Sequence, residues 1–354
     1  MDSQHALREC NVTNLKNVTT YLERLSQVRV LCVGDVMLDR FVYGQVSRIS
    51  PEAPVAVLRV ERRASMLGGV GNVVRNLCSL GCKVTLAAAT GQDDTAGEIR
   101  LLLNDLPNCR AVLASEAGRR TPVKQRFVAN NQQLLRVDEE STHELREATL
   151  ETLLQAFRAA APQCEVVVLS DYAKGTLSGA NAQKFVTEAV RAGKPVVVDP
   201  KGHDFRRYRS ATVLKPNLKE LAEASNMPVD SVGGVAAAAR KLLFEAEAQW
   251  LVVTRGAAGM CLFAANGSSW SLPSVAREVF DVSGAGDTVA AVLAAAFGAG
   301  APMEDAVYLA NIAAGLVVAK VGTAVVSRQE LMQECQGRLA LGHHTGFEAV
   351  EIPK

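Results

Sequence analysis

The chain has no apolar stretch long enough to cross a membrane as a helix, which takes about 20 residues. The segment before residue 30 also lacks the apolar core of a secretory signal peptide. These two absences argue against a membrane protein and against a secreted one. We therefore expect a cytoplasmic protein with no membrane partner.

An excess of charge of one sign is also missing. The 38 basic and 37 acidic residues leave a formal net charge of +1, and there is no charge block and no low-complexity tract. Proteins that bind nucleic acid usually carry a broad positive surface, which this balance does not provide. We expect no nucleic-acid partner, and any anion site must be built from local groups.

Two familiar site patterns are absent as well. The eight cysteines include no Cys-x-x-Cys pair, and Cys78 and Cys82 have no histidine nearby. We interpret the cysteines as reduced core residues of a cytosolic protein, not as a disulfide or zinc framework. The Gly-x-x-x-x-Gly-Lys-[Ser/Thr] pattern of P-loop enzymes does not occur either, so a phosphate site would need another design.

The sequence does contain a repeated alternation of strands and helices. Its 354 residues, 48% of them hydrophobic, suffice for one large domain or two ordinary ones. Continuous apolar runs, such as residues 30–33 and 250–253, are typical of strands buried on both faces, and amphipathic helical runs separate them. This pattern predicts an α/β fold, with a mainly parallel sheet and helices on both of its faces.

Four other segments alternate apolar and polar residues and predict strands with one exposed face. They are residues 41–48, 55–62, 121–128 and 133–138.

The most informative stretch is residues 281–287, Asp-Val-Ser-Gly-Ala-Gly-Asp. It lies between residues 275–280, predicted as a strand, and an Ala-rich run over residues 288–300, predicted as a helix. The small residues Gly284, Ala285 and Gly286 leave backbone amides open at the helix N-terminus, where a phosphate can bind. Asp287 then has two explanations: an acid that complements the helix dipole, or a general base beside an anion site.

Polar residues follow several predicted strands, at the edge where open α/β sheets bind ligands. Asp35 and Asp39 follow the first strand, Asp171 and Lys174 follow another, and Lys201 follows a third. Asp171 is a candidate for binding a hydroxyl, and the two lysines are candidates for neutralising a phosphate. Solvated loop charges are the alternative.

Two further patterns stand at predicted helix starts. Gly68 and Gly69 allow a ligand to approach the backbone, and Asn72 offers a hydroxyl both a donor and an acceptor. Asn217 and Glu220, three residues apart, share one helix face and are either a capping pair or a ligand contact.

Residues 281–287 and the Gly68-Gly69 pair with its Asn72 resemble the two signatures of the ribokinase-like (PfkB) family of carbohydrate kinases. The resemblance extends over roughly residues 29–339. It implies a ribokinase-like fold in which Asp287 is the catalytic base and the amides of residues 284–286 form the anion hole. It also implies that Gly68, Gly69 and Asn72 contact the sugar.

The resemblance implies ATP and Mg²⁺ as cofactors. Asn217 and Glu220 match an Asn-x-x-Glu motif associated with magnesium and the nucleotide phosphates. Glu220 is expected to act through water, because Mg²⁺ keeps much of its hydration shell.

The family's Thr-x-Gly-x-x-Gly nucleotide loop is matched by residues 254–259, so Thr254, Gly256 and Gly259 are expected to face the phosphates. Asn311 is expected beside the adenine. Some members of the family need potassium, for which Asp281 and Ser283 are candidates together with residues 320–323.

In this family the alternating strands form a lid over the sugar. We place the lid within residues 36–62 and 119–138 of a single kinase domain spanning residues 1–354, with a tail from residue 340. Exposed lid edges and faces invite pairing with another copy, so a homodimer through the lid is expected.

Within the family, residues 34–40, 47–55, 170–175 and 199–202 resemble bacterial heptose 7-phosphate kinases. This implies that ATP phosphorylates the anomeric hydroxyl of D-glycero-β-D-manno-heptose 7-phosphate, giving the 1,7-bisphosphate, on the route to ADP-heptose and the lipopolysaccharide core. A phosphorylated substrate fits the basic residues expected around the lid and pocket. They are Arg48, Lys124, Arg126, Lys174 and Lys201.

Some such relatives carry a further nucleotidyltransferase domain with a His-x-Gly-His site. Residues 343–346, His-His-Thr-Gly, lack that spacing, so the kinase alone is expected.

Three alternatives remain open. The first is another PfkB-type sugar or sugar-phosphate kinase. The second is a dinucleotide oxidoreductase, because residues 284–286 mimic the start of Gly-x-Gly-x-x-Gly. Val289 occupies the third glycine position, however, and no acid follows about 20 residues on at a strand end. The third is a non-catalytic sugar-binding protein, against which Asp287 argues.

Overall fold

A computed structural model describes residues 15–130, 132–276, 278–320, 322–340 and 348–349. The fourteen strands of this part of the chain are β1 (Arg29–Gly34), β2 (Val36–Ile49), β3 (Ala56–Gly69), β4 (Lys83–Thr90), β5 (Cys109–Ser115), β6 (Val123–Ala129), β7 (Gln132–Glu139), β8 (Val166–Ser170), β9 (Val196–Asp199), β10 (Val213–Leu214), β11 (Trp250–Thr254), β12 (Met260–Ala264), β13 (Ser269–Leu272) and β14 (Glu348–Ala349).

Ten α-helices accompany them in the same part of the chain: α1 (Leu15–Arg24), α2 (Val70–Ser79), α3 (Asp94–Asn104), α4 (Glu147–Ala160), α5 (Asn181–Arg191), α6 (Leu218–Ser225), α7 (Val232–Glu245), α8 (Ala285–Gly298), α9 (Met303–Val318) and α10 (Arg328–Ala340). None of these helices has the length and apolar composition that crossing a membrane requires.

The main sheet has ten strands in the order β14-β13-β12-β11-β10-β9-β8-β1-β4-β5. From β5 to β11 neighbouring strands are parallel, and from β11 to β14 they are antiparallel. All the parallel strands therefore end at the same edge of the sheet. Open α/β sheets bind ligands at that edge.

Helices cover both faces of this sheet, so its strands are apolar on both sides. In β1, Val30 and Cys32 belong to one core cluster, whereas Leu31 and Val33 belong to the other. This split follows from the two-residue period of a strand, and it explains the continuous apolar runs in the sequence.

The four alternating segments form a second sheet in the order β3-β2-β6-β7. Strand β2 pairs antiparallel with β3 and parallel with β6, and β6 pairs antiparallel with β7. We call these four strands the small sheet. Every residue of β7 is exposed, as is half of β3, so much of the small sheet has no cover from the described part of the chain.

Helix α8 is buried along most of its length, from Asp287 to Ala296. It packs against α2 and α9 and against the main sheet. Its many alanines allow this close approach on several sides, because they project only a methyl group. The N-terminus of α8 is thereby held at the carboxyl edge of the parallel strands.

One local prediction was wrong. Residues 275–280 contain no strand at their described positions. Instead the amides of Phe280 and Asp281 donate to the Val318 carbonyl at the end of α9, at 2.8 and 3.2 Å. The helix predicted to start near Gly68, Gly69 and Asn72 is present and begins at Val70, because Gly68 and Gly69 still pair with β2. The expected tail from residue 340 and Val321 lie largely outside the described residues.

Candidate active site

A cavity of about 760 Å³ opens at the carboxyl edge of the sheet, in front of the N-terminus of α8. Residues that follow several parallel strands line it, among them Tyr172, Asp199 and Lys215, and Ala285 and Gly286 contribute from α8. The sheet order thus gathers distant strand ends around one helix terminus.

Asp287 lies in the first turn of α8 and is only 3% exposed. Its Oδ1 accepts a hydrogen bond of 2.6 Å from the Tyr172 hydroxyl, and its Oδ2 accepts one of 2.9 Å from the Asn72 side-chain amide. Burial raises the pKa of Asp287. The hydrogen bonds from Tyr172 and Asn72, and the positive charge of Lys215, oppose that rise.

Gly284 caps the N-terminus of α8 in a left-handed conformation with φ of 80°. A Cβ on this residue would lie 2.5 Å from Thr323 Cγ2 and 2.6 Å from Asn72 Nδ2, so only glycine fits there. Of the three amides expected to form the anion hole, that of Ala285 donates to the Val282 carbonyl at 3.2 Å. This turn keeps the backbone compact where α8 begins.

Lys215, which sequence reasoning missed, lies at the centre of the site. It is 3% exposed, and its Nζ contacts Asp199 Oδ1 at 2.8 Å. The same Nζ lies 3.7 Å from where a Cβ on Gly286 would stand, which places a cation beside the helix terminus. Its position directly after β10 was an available signal, because polar residues at strand ends mark this edge.

Burial raises the pKa of Asp199 to about 7, although the charge of Lys215 and its hydrogen bond oppose the rise. For Lys215 burial acts in the downward direction, but the carboxylates of Asp199, Glu220 and Asp287 outweigh it and the pKa of Lys215 is raised. Lys215 is therefore charged at neutral pH.

The structure separates the roles of two acids that follow β1. Asp35 accepts hydrogen bonds from the backbone amides of Tyr172, Lys174 and Thr176, at 2.9, 2.9 and 3.0 Å. Both of its oxygens thus hold the loop after β8, and its expected sugar contact stays a prediction.

Asp39 lies on β2, where its Oδ1 contacts Arg126 Nη1 at 2.5 Å. A side chain on residue 68 would overlap the other oxygen of Asp39, so a glycine here leaves room for this carboxylate. Gly69, with φ of 58°, would overlap the Asp35 carbonyl if it carried a Cβ. Both glycines are needed by the chain itself at this point.

Asn72 donates to Asp287, and its expected contact with the sugar stays a prediction. Its Oδ1 accepts a hydrogen bond of 3.1 Å from Arg75, which also donates to the Thr323 carbonyl at 2.9 Å. Asn72 is fully buried, so its amide is an internal support of the site in this structure.

Asp171 is also buried and internally bonded. It accepts hydrogen bonds from the Tyr208 hydroxyl at 2.7 Å, from the Ala173 amide at 2.7 Å and from Arg207. Burial and nearby Asp35 raise the pKa of Asp171, and Arg207 opposes the rise. Asp171 lines the cavity, and sequence reasoning missed its two partners on the segment 205–208.

The basic residues expected to meet a substrate phosphate differ in their partners. Lys174 contacts Glu140 at 2.6 Å, Arg126 contacts Asp39, and Lys201 contacts Glu220 at 2.9 Å. Arg48 is exposed near the outer end of β2. The fifth cation is Lys124.

Lys124 forms no ion pair with any residue that the structure describes. Its ammonium lies 5.3 Å from the centre of the Tyr172 ring. Burial lowers the pKa of Lys124, and the charges of Lys174 and Arg136 act in the same direction, whereas Asp39 opposes them. An anion can therefore pair with Lys124 without first displacing a carboxylate.

On the other side of the cavity, Asn217 and Glu220 form a capping box at the start of α6. The Glu220 amide donates to Asn217 Oδ1 at 2.9 Å, and the Asn217 amide donates to Glu220 Oε2 at 3.0 Å. Because Lys201 occupies Oε1, both oxygens of Glu220 already accept a hydrogen bond. The capping and ligand explanations are compatible, since both side chains also line the cavity.

Thr254, Gly256, Gly259 and Asn311 line the same cavity. Gly256 has a φ of 58° and open space where a Cβ would stand, whereas a Cβ on Gly259 would lie 2.5 Å from the Ser274 amide nitrogen. Asn311 donates to the Pro273 carbonyl at 2.8 Å.

The two potassium candidates bond to each other near the start of α8. The Ser283 amide donates to Asp281 Oδ1 at 2.8 Å, and the Gly322 amide donates to Oδ2 at 3.1 Å. Over the described residues, no group of three His, Cys, Asp or Glu side chains is arranged to hold a metal ion.

Residues 27–330 match the pfkB family carbohydrate kinase. The chain belongs to the pfkB family of carbohydrate kinases. The family expected from the sequence is therefore confirmed. Ala285 and Gly286, at the glycine-capped N-terminus of α8, line the cavity, and the buried Asp287 follows them directly.

Among curated relatives, the chain is 50% identical over 322 residues to the Bifunctional protein HldE of Paramagnetospirillum magneticum. The match covers 91% of this chain and 66% of that relative. This kinase chain thus spans just under two thirds of the relative's length.

Solved structures confirm the ribokinase-like fold. The ribokinase of Arabidopsis thaliana, in complex with ribose and ATP, superposes with a TM-score of 0.69 at 18% identity, covering 87% of this chain and 99% of that one. Phosphofructokinase-2 of Escherichia coli in complex with potassium gives 0.72 at 21% identity, covering 88% and 99%. At these identities the similarity establishes the fold alone.

Proposed function

We propose that this kinase transfers the γ-phosphoryl group of ATP to the anomeric hydroxyl of D-glycero-β-D-manno-heptose 7-phosphate. The product is the 1,7-bisphosphate, an intermediate on the route to ADP-heptose and the lipopolysaccharide core. The observation that carries the proposal is the buried Asp287, held by two hydrogen bonds beside the N-terminus of α8 and the cavity. The 50% identity to a protein named HldE supports the choice of sugar.

In the proposed reaction the anomeric oxygen attacks the γ-phosphorus while its proton passes to Asp287. The bond between the γ-phosphorus and the β,γ-bridging oxygen breaks, and ADP leaves. A positioned base of this kind typically contributes roughly 10²–10⁴-fold to the rate. The Gly284 and Gly286 amides and the Lys215 ammonium stabilise the negative charge of the transferring group.

Magnesium, when bound with ATP, neutralises and orients the phosphates. Glu220 is the acid placed to hold it, and because both of its oxygens already accept hydrogen bonds, contact through water fits better than direct coordination. Asn217, Thr254, Gly256 and Gly259 are proposed on the phosphates and Asn311 beside the adenine. A potassium ion at Asp281 and Ser283 completes the proposal, supported by the potassium complex of Escherichia coli phosphofructokinase-2.

For the 7-phosphate we propose Lys124 as the primary contact, because it is the cation over the site that has no ion-pair partner among the described residues. Arg126 and Lys174, already paired with Asp39 and Glu140, are proposed as supporting contacts. Asp39, Asp171, Gly68 and Gly69 are proposed around the sugar hydroxyls.

The small sheet is proposed to act as the lid, closing over the sugar and excluding water during transfer. The small sheet also carries exposed large apolar side chains, which supports a homodimer through the lid. They are Ile49, Val60, Leu134, Leu135 and Val137. The compartment proposed for this ATP-consuming enzyme is the cytoplasm.

The deciding experiment incubates the protein with Mg·ATP and D-glycero-β-D-manno-heptose 7-phosphate. Mass spectrometry should detect a product heavier by one phosphoryl group, and phosphorus NMR should place that group on the anomeric oxygen. A parallel panel of fructose 6-phosphate, ribose and a nucleoside tests the second candidate, another PfkB-type sugar kinase. Turnover of a panel member, with none of the heptose phosphate, would replace the proposed substrate with that one.

A further inference from the structure

We propose that Tyr172 is the positioning residue of this active site, fixing the carboxylate of Asp287 through its phenol hydroxyl. The inference rests on the proposed function, in which Asp287 is the base. It concerns a residue to which the sequence analysis assigned no role of its own.

The contact itself is short and specific. The Tyr172 hydroxyl donates to Asp287 Oδ1 at 2.6 Å, and the Asn72 amide donates to Oδ2 at 2.9 Å. Hydrogen bonds from O–H to a carboxylate are about 2.5–2.7 Å long when they are charge-assisted. With one donor on each oxygen, the plane of the carboxylate is fixed. Each oxygen keeps a further lone pair that can accept a hydrogen bond from the sugar hydroxyl.

Tyr172 cannot readily leave this position, because its own backbone is tied down. Its amide donates to the buried Asp35 at 2.9 Å, and Asp35 also holds the amides of Lys174 and Thr176. The ammonium of Lys124, on the small sheet, lies 5.3 Å from the centre of the ring. The phenol is therefore a fixed support rather than a group that swings away when the sugar binds.

Protonation gives the hydrogen bond its direction. Burial, together with the neighbouring carboxylate of Asp287, raises the pKa of Tyr172 far above its ordinary value, so the phenol stays protonated and donates. A donor to the ionised form of Asp287 offsets the rise in pKa that burial imposes on it. Removing the hydroxyl should therefore raise the pKa of the base.

Other charged groups face Asp287 from every surrounding element. They are Arg75 on α2, Asp39 on β2, Asp199 at the end of β9 and Lys215 after β10. None of them changes in a Tyr172→Phe variant, and the aromatic ring beneath Lys124 is retained. The variant removes one oxygen atom from the contact and nothing else.

The test is the pH dependence of kcat for Tyr172→Phe with the heptose phosphate and ATP. We expect kcat to fall about tenfold, as for the loss of a hydrogen bond to a charged group, with the KM for ATP unchanged. The acid limb of the profile should move to higher pH by about one unit. Tyr21→Phe is the matched control, because Tyr21 lies on α1, outside both the cavity lining and the small sheet. It should keep the wild-type profile.

An unmoved acid limb in Tyr172→Phe would overturn the inference, as would a raised KM for the sugar with kcat intact, which would make the phenol a substrate contact. A second arm needs no substrate. The free energies of unfolding of Tyr172→Phe, Asp287→Asn and the double variant should be non-additive at pH 8. Additive effects would overturn the contact itself, whereas coupling without heptose turnover would leave Tyr172 in place and reject only the proposed substrate.

Discussion

Asn72 and Asp287 are 215 positions apart in the chain, yet the amide of one donates to the carboxylate of the other at 2.9 Å. This hydrogen bond joins the N-termini of α2 and α8. It brings the family's two signature segments into contact with each other. The predictions below test what this arrangement does.

Asp287→Asn is expected to fold and bind ATP but to lose turnover by roughly a hundredfold or more, because an amide cannot accept the proton. Steady-state kinetics and ATP titration calorimetry measure both quantities. Glu304→Gln is the matched control, since Glu304 is a first-turn acid of the neighbouring helix α9. If Asp287 only complemented the helix dipole, both variants would lose about 0.3–1 kcal/mol of stability and neither would lose turnover.

Gly284→Ala should damage both stability and turnover. The new Cβ would meet Thr323 and Asn72 at 2.5 and 2.6 Å, so Asn72 must move away from Asp287. We expect kcat to fall about tenfold or more, since small displacements of catalytic groups are costly. Gly300→Ala is the control for backbone strain, because its φ is 88° and no atom lies within 4 Å of its Cβ position.

The control should lose only about 1–2 kcal/mol in urea unfolding, the cost of a left-handed conformation. Equal losses in the two variants would mean that crowding at the helix N-terminus does not matter.

Lys215→Met is expected to make stability depend more steeply on pH. The pKa of Asp199 is about 7 in the folded protein against an ordinary 3.8, so its contribution is full below 3.8 and is lost as pH rises through 7. Without Lys215 the folded pKa rises further, and the loss continues to higher pH. The deficit of Lys215→Met should therefore be larger at pH 8 than at pH 6, by up to about 1.4 kcal/mol for each pH unit.

Urea unfolding at the two pH values measures this effect. Lys219→Met is the control. It alters a lysine four residues further along the chain, whose side chain is 84% exposed, and it should show the same deficit at both pH values. A pH-independent deficit for Lys215→Met would show that Asp199 is not coupled to it.

Lys124→Met should raise the KM for the sugar phosphate by about tenfold, the loss of one contact to a charged group, and leave the KM for ATP unchanged. The KM for the unphosphorylated heptose should not respond, because it lacks the anion. Arg48→Met is the comparison, since Arg48 is exposed near the outer end of β2. If the KM for the sugar phosphate rose in Arg48→Met and not in Lys124→Met, the phosphate contact would belong to Arg48.

Leu135→Glu is expected to convert a dimer into a monomer in multi-angle light scattering. Leu135 lies on β7 with 56% of its surface exposed, and a buried, unpaired carboxylate would be costly at an interface. Leu101→Glu alters a leucine that is 66% exposed on α3, outside the small sheet, and should leave the assembly unchanged. Dimers of both variants would exclude this face as the interface.

Many elements followed directly from local pattern. The apolar run at residues 30–33 became β1, and the Ala-rich run after Gly286 became α8, because a continuous apolar run suits a strand covered on both faces and a run of alanines suits a helix packed on several sides. The described residues of 275–280 form no strand, and at their end the Phe280 amide donates to the Val318 carbonyl at the end of α9. That partner is distant in sequence and invisible to a local pattern.

The amino-acid sequence by itself determined the types of side chain at the strand ends, the open helix terminus at residues 284–286 and the acid that follows it. Only the tertiary structure decided how these groups pair: Asp35 with the loop after β8, Lys215 with Asp199, and Tyr172 and Asn72 with Asp287. The reason is physical. These bonds connect segments that meet only because the order of the sheet brings the ends of β1, β8, β9 and β10 to one edge, and strand order depends on the packing of the whole chain.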